Sequence, residues 1–411
     1  MRRVIEMAQS DRVKIKAIHT DSMIRNDREA LLAVRAERLA AVFAERAALH
    51  DREGSFPFDN FADLKQEGYL KLTVPAVYGG EEASLYEMLL AQERLARGDG
   101  ATALSVGWHV GLMLHWRTVR SWPGALFEQV CRETAERGAL LNHFASEPAT
   151  GSPSRGGLPQ SQAVKADGGW LVTGRKTFST LSPIVDRFLV SATLAGTESV
   201  GDFLIDRGPG VKVEETWDTL GMRATGSHDL VLDKAFVPDD RLVLQTDRSR
   251  PAPAPADGGG WLLHIPACYL GIAYAARSFA NRFAAEYRPN SLPGPIADLP
   301  HIQQQIGSME EELSVARTYM YALADRWDRL PEQRAAMRAD FGIAKKRAVG
   351  SALAIVDQAM RIVGGASLSR SLPLERYYRD VRAGLHNPPM DDAVTRMLAQ
   401  RALQEYHPGQ G

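Results

Sequence analysis

The chain has 411 residues, 45% of them hydrophobic, enough apolar material for two or three domains with a sizeable core. Its 49 Lys and Arg face 50 Asp and Glu, a net charge of −1 that offers no field to attract nucleic acid or an anionic membrane. Cys131 and Cys268 lie far apart without metal-ligand spacing, which argues against a disulfide framework or a metal site and for a reducing cytoplasm.

Residues 1–25 carry no clear period and read as a loose arm. No apolar signal run follows Arg2 and Arg3, and no uncharged apolar stretch reaches the about 20 residues of a membrane span. A helix is expected from Asn26 or Asp27, with Leu31, Leu32, Val34, Leu39 and Val42 at helical spacing. Helical character continues to about Arg137, where Gly138 ends it, with a turn at Val74-Pro75-Ala76-Val77-Tyr78-Gly79-Gly80. The period then changes. Trp170 to Phe178, Arg187 to Leu194, Asp202 to Asp206, Val211 to Trp217 and Asp229 to Phe236 read as short strands. Arg248 to Gly260, rich in Pro, Ala and Gly, reads as a linker or loop. Beyond it, Trp261–Tyr287, Ile302–Trp327, Pro331–Val363 and Asp391–Gln404 read as four long helices. The expected organisation is therefore helical over 26–140, β over 141–247, a connector over 248–260 and a helical bundle over 261–411.

Five segments carry a resemblance. They are Pro75-Ala76-Val77-Tyr78-Gly79-Gly80, Ser146-Glu147-Pro148-Ala149-Thr150-Gly151-Ser152, Gly174-Arg175-Lys176-Thr177-Phe178-Ser179-Thr180, Leu220-Gly221-Met222-Arg223-Ala224-Thr225-Gly226-Ser227, and Gly364-Gly365 followed by Arg379-Asp380. In this order the chain resembles the acyl-CoA dehydrogenase family from about residue 30 to 405. The resemblance implies an α+β fold: an N-terminal α-helical domain, a middle β-barrel-like domain and a C-terminal four-helix bundle. It also implies a flavin, FAD or alternatively FMN, a small-molecule substrate such as an acyl-CoA, and a homo-oligomer, dimer or tetramer.

The residues permit the same chemistry. An aromatic ring such as Phe178 can pack on a flat isoalloxazine while the hydroxyl of Ser179 or Thr180 bonds near its N5. Ser146 and Ser152 bracket a Pro-Gly turn whose hydroxyls and N–H groups suit a flavin edge or a pyrophosphate. Arg223, Thr225 and Ser227 are candidates for substrate or cofactor contact. By resemblance, Arg288 reaches the pyrophosphate and Gly364 and Gly365 approach the adenine half of FAD held by a neighbouring subunit, although Arg361 and Ser367 depart from that pattern. A helix C-cap is the structural alternative for the glycines.

One departure bears on function. Acyl-CoA desaturation needs a positioned base for the α-proton. At the family's usual base position stands Pro388, and the alternative position, on the first bundle helix, falls near Trp261, Leu262, Leu263 and His264. His386 and Asp391 are the substitute candidates, with Asp392 beside them, and Asp391 also suits a helix cap. Relatives without the base are monooxygenases that use reduced flavin and a C4a-hydroperoxide. The sequence thus leaves three readings: an acyl thioester dehydrogenase, such a monooxygenase, or a non-catalytic flavin or acyl-CoA binder.

Overall fold

The structure, a computed structural model, describes residues 21–150, 157–247, 255–404 and 406. The N-terminal part is helical: α1 (Asp27–Glu53), α2 (Phe58–Gln66), α3 (Leu85–Gly98), α4 (Gly100–Val119) and α5 (Gly124–Arg137). Asn26 caps α1 by accepting from Glu29 N at 3.0 Å, and Gly54 ends it at φ 67. Ser84 and Glu87 form a reciprocal capping box at the start of α3. Helix α4 is apolar nearly all round and is buried accordingly. Gly138 closes α5 at φ 65, where the sequence places the end of this region.

The middle part is one eight-stranded sheet: β1 (Leu141–Phe144), β2 (Gln162–Ala166), β3 (Gly169–Lys176), β4 (Arg187–Leu194), β5 (Ser199–Asp206), β6 (Val211–Glu214), β7 (Asp229–Pro238) and β8 (Leu242–Asp247). Its order is β6-β7-β3-β2-β4-β5-β8, with β1 parallel to β4. The end strands β6 and β8 do not pair with each other, so the sheet stays open rather than closing as a barrel. Strand β4, flanked by β1, β2 and β5, is buried along its whole length.

The C-terminal part packs α6 (His264–Glu286), α7 (Pro300–Arg329), α8 (Arg338–Val363) and α10 (Asp391–Gln404) as a bundle, with the short α9 (Leu374–Asp380) before the last turn. Fully buried Ala276, Ala280 and Ala284 recur every four residues on α6, a small-residue seam for close helix approach. Helix α6 also packs on α3, so one continuous apolar core runs through all three parts. At the α3–α7 contact the buried Glu93 carboxylate accepts from Arg97 (2.7 Å), Arg317 (3.0 Å) and Tyr321 (2.9 Å). No helix among the described residues is long and apolar enough to cross a membrane.

Candidate active site

A cavity of about 460 Å³ opens where the three parts meet. Helix α4 supplies Leu104, Trp108 and Leu112, which are four residues apart and share one face. Strand β1 supplies Asn142 and His143, the segment after it Ser146, and the turn after β3 supplies Phe178 and Thr180. The loop before β7 adds Trp217, Met222, Thr225 and Ser227, and the approach to α6 adds Trp261 and Leu262. The wall is completed by Ala383, His386, Asn387 and Pro388.

The turn after β3 is strained. Phe178 and Leu181 hold left-handed backbone at φ 55 and φ 71, and Met222 across the cavity does so at φ 54. Non-glycine residues in this region cost of order 1–3 kcal/mol each and persist only where their surroundings enforce them. Here Ser179 N donates to His228 O (3.1 Å), Leu181 N to Thr225 O (3.2 Å), and Asn142 Nδ2 to Thr180 O (2.9 Å). The result is a large aromatic ring, Phe178, left 68% exposed at the cavity rim and set edge-on to Trp217 at 5.8 Å. Opposite, Gly221 lies so close to the Arg379 carbonyl that a Cβ there would sit 2.4 Å from it, and Met222 N donates to the buried Asp380 carboxyl at 2.6 Å. Burial pushes that carboxyl up to about 7, against the pull of Arg376.

The cavity's chemistry is sparing. Among the described residues its one lining carboxylate, Glu147, is 2% exposed and accepts from Lys176, Ser161 and Gln160 N. Burial alone would raise its pKa, but the bonds from Lys176 and Ser161 hold it below the usual carboxylate range. His386 is exposed and sits at the rim beside Asn387, whose Oδ1 accepts from Tyr269 OH. Behind the wall, His264 stacks on Trp261 with both ring nitrogens buried and unbonded, and burial lowers its pKa to about 3, so it is neutral.

A flavin fits this seat on its own terms. Phe178 offers an uncovered ring face, and Ser146 and Thr180 present hydroxyls amid apolar walls. A larger concavity of about 580 Å³, lined by Arg52, Arg223, Arg370, Arg376 and Arg379, is a weaker candidate. Arg379 already binds Asp51 and Glu375, and Arg223 binds Asp218, while the strained turn lies elsewhere.

Among the sequence candidates, the cavity gathers Ser146, Phe178, Thr180, Thr225, Ser227 and His386. Ser179 points into the protein, and Ser152 lies outside the described residues. Asp391 is the first residue of α10, away from the cavity, with Oδ1 3.1 Å from Lys345 Nζ. Arg288 is exposed beyond α6, and Gly364 ends α8 at φ 70, with open space around both it and Gly365. Within one chain none of these three touches the cavity. Sequence reasoning missed the α4 face and Trp217. Because α4 is apolar all round, its cavity side carries no distinguishing period.

Matches to known proteins follow the same division of the chain. The family descriptions that match are acyl-CoA dehydrogenase N-terminal domain at residues 26–119, middle domain at 143–235 and C-terminal domain at 263–387. Over 384 residues the chain is 49% identical to YdbM of Bacillus subtilis (strain 168), which carries a provisional acyl-CoA dehydrogenase name, covering 93% of this chain and 99% of that one. It is 32% identical to an L-evernosamine nitrososynthase of Micromonospora sp., covering 90% and 88%. Among solved structures, KijD3 in complex with FMN and a dTDP-amino-keto sugar superposes with a TM-score of 0.82 at 27% identity, covering 92% of this chain and 95% of that one. Butyryl-CoA dehydrogenase from Megasphaera elsdenii shares the fold, with a TM-score of 0.83 at 21% identity over 92% and 99%. The chain belongs to the acyl-CoA dehydrogenase family of flavoprotein oxidoreductases.

Proposed function

We propose that this enzyme is a monooxygenase that takes up reduced flavin, FMN or FAD, in the cavity between its three parts. Bound reduced flavin supplies two electrons to O2, so that one oxygen atom enters the substrate and the other leaves as water. The chain's residues orient the ring, exclude water and select the substrate. Phe178 packs on the cofactor, Thr180 and Ser146 bond its polar edge, and Trp108, Trp261 and Leu112 form an apolar wall for a small substrate. The observation that carries this reading is the state of the lining carboxylates. By the resemblance, the two positions where the family places a base fall at about Pro388 and about Trp261, both in the cavity wall, and the lining Glu147 is consumed by Lys176 and Ser161. The nitrososynthase relative and the FMN complex of KijD3 support the same branch.

A second reading, acyl-CoA dehydrogenation with His386 as base, is favoured by the position of His386 beside Pro388 in the wall and by the likeness to YdbM. Anaerobic mixing of the flavin-loaded protein with acyl-CoAs separates the two. The monooxygenase reading expects no bleaching of the flavin, and O2 uptake when NADH and a flavin reductase supply reduced flavin. Rapid bleaching that disappears in His386→Ala would replace it with the dehydrogenase. The working form we propose is a cytoplasmic homo-oligomer, in which Arg288, Gly364 and Gly365 meet the cofactor of a neighbouring subunit. Their surface positions, remote from their own cavity, support it.

A further inference from the structure

Three hydroxyls line the cavity in a row. Thr180 Oγ1 lies 2.9 Å from Ser227 Oγ, which lies 2.7 Å from Thr225 Oγ1, which lies 3.0 Å from the Met222 carbonyl. Each hydroxyl has one hydrogen, and a carbonyl oxygen can only accept. That fixes the direction of the row. Thr225 donates to Met222 O, so it must accept from Ser227. Ser227 has then spent its hydrogen and must accept from Thr180. Reversing the row would leave Thr225 Oγ1 and Met222 O, two acceptors, facing each other at 3.0 Å with no hydrogen between them. The Met222 carbonyl is held in place, since it also accepts from Trp217 Nε1 at 3.0 Å. Thr180 is held as well, its carbonyl accepting from Asn142 Nδ2 at 2.9 Å.

Thr180 therefore faces the cavity with lone pairs only. Oxidised flavin presents at N5 an unprotonated nitrogen, which needs a donor; reduced flavin presents an N–H, which needs an acceptor. We infer that the Thr225–Ser227–Thr180 row makes this site select reduced over oxidised flavin, with Thr225 and Ser227 acting as positioning residues that set the hydrogen of Thr180. The inference rests on the flavin reading above and deepens it, because a protein that borrows reduced flavin must release the oxidised form.

The test measures binding, not turnover. FMN and FAD are titrated into the full-length apoprotein, oxidised in air and photoreduced under argon, and the two dissociation constants are compared. A mismatched buried polar contact shifts affinity by about fivefold to 150-fold, so reduced flavin should bind at least about fivefold tighter to the wild type. Ser227→Ala frees the hydrogen of Thr180, and Thr225→Val removes the acceptor that orients Ser227; both should bring the ratio to within about twofold of unity. Thr225→Ser keeps the hydroxyl and should keep the preference. Melting curves of the apoproteins show whether each variant is folded, and Thr225→Val carries the comparison if Ser227→Ala is not. Equal or tighter binding of oxidised flavin by the wild type, or an unchanged ratio in folded Ser227→Ala or Thr225→Val, overturns the inference while leaving a flavin site. If neither FMN nor FAD binds in either redox state, the proposed function itself is overturned, and this inference with it.

Discussion

Phe178→Gly should leave the empty protein almost as stable as before and yet cripple flavin binding. The first half follows from opposed local effects. The ring is 68% exposed, so only about a third of a phenylalanine's ~200 Å² is buried, worth ~1.6 kcal/mol at ~25 cal/mol per Å². Glycine at φ 55 recovers about 1–2 kcal/mol of left-handed strain and loses about 0.5–1 kcal/mol in chain entropy. The sum is a loss of between about 0.1 and about 1.6 kcal/mol, whereas a core phenylalanine truncation costs about 3–5 kcal/mol. The second half follows from the exposed part. If a flavin covers the remaining ~140 Å², up to ~3.5 kcal/mol of affinity depends on the ring, and the expected weakening is between about tenfold and about 300-fold. Urea denaturation of the apoprotein and fluorescence titration with FMN and FAD read the two halves separately. A loss above ~2 kcal/mol with unchanged flavin affinity would show that Phe178 serves the fold and that the cavity's occupant sits elsewhere.

Three further outcomes are expected. Glu93→Gln removes the charge that pairs with Arg97 and Arg317 and acts on nearby Arg94, and should destabilise by about 3–5 kcal/mol, with less loss when paired with Arg317→Met, measured by thermal melting. Burial would raise the Glu93 carboxyl, but Arg317 and its neighbours hold it far below the ordinary 4.5, so its contribution, present above that value, is lost as pH falls below it. Asp380 behaves oppositely: held at about 7 against an ordinary 3.8, it keeps a proton the unfolded chain has released, so stability should fall as pH rises through that interval and level off above it. Asp380→Asn should flatten that slope in a pH series of melts. Gly107→Ala would place a methyl 2.4 Å from both Gln92 Nε2 and His264 Nδ1 and should cost about 1–3 kcal/mol in a urea titration, part of it restored by His264→Ala.

The long helices were the most legible part of the sequence. The apolar period and caps place α1 at Asn26 and α10 at Asp391–Gln404, as the structure has them. Strands β1, β2 and β8 were missed for physical reasons. Four residues at Leu141–Phe144 are too short to show alternation, and the mixed Gln162–Ala166 gains its place from partners on either side. The expected connector ends in more than loop. Asp257 is wholly buried, with its carboxylate 2.6 Å from His115 Nδ1 and its carbonyl accepting from Trp327 Nε1, partners set 142 and 70 residues away that no local pattern announces. The cavity was half legible. Motif residues on turns were visible because turns carry unusual sequences, whereas Trp108 and Trp217 became site residues only through packing.

The cavity wall drawn from all three parts of the chain has a consequence for the protein's life in the cell. No part alone contains the seat, so whatever occupies it acts as a keystone: it binds the assembled molecule and not the separated pieces. Occupancy at a hundredfold excess over the dissociation constant would add about 2.7 kcal/mol to the whole assembly rather than to one region. The supply of flavin would then govern how long the molecule survives as well as how fast it works, and an apoprotein starved of cofactor should be the form that proteases find first.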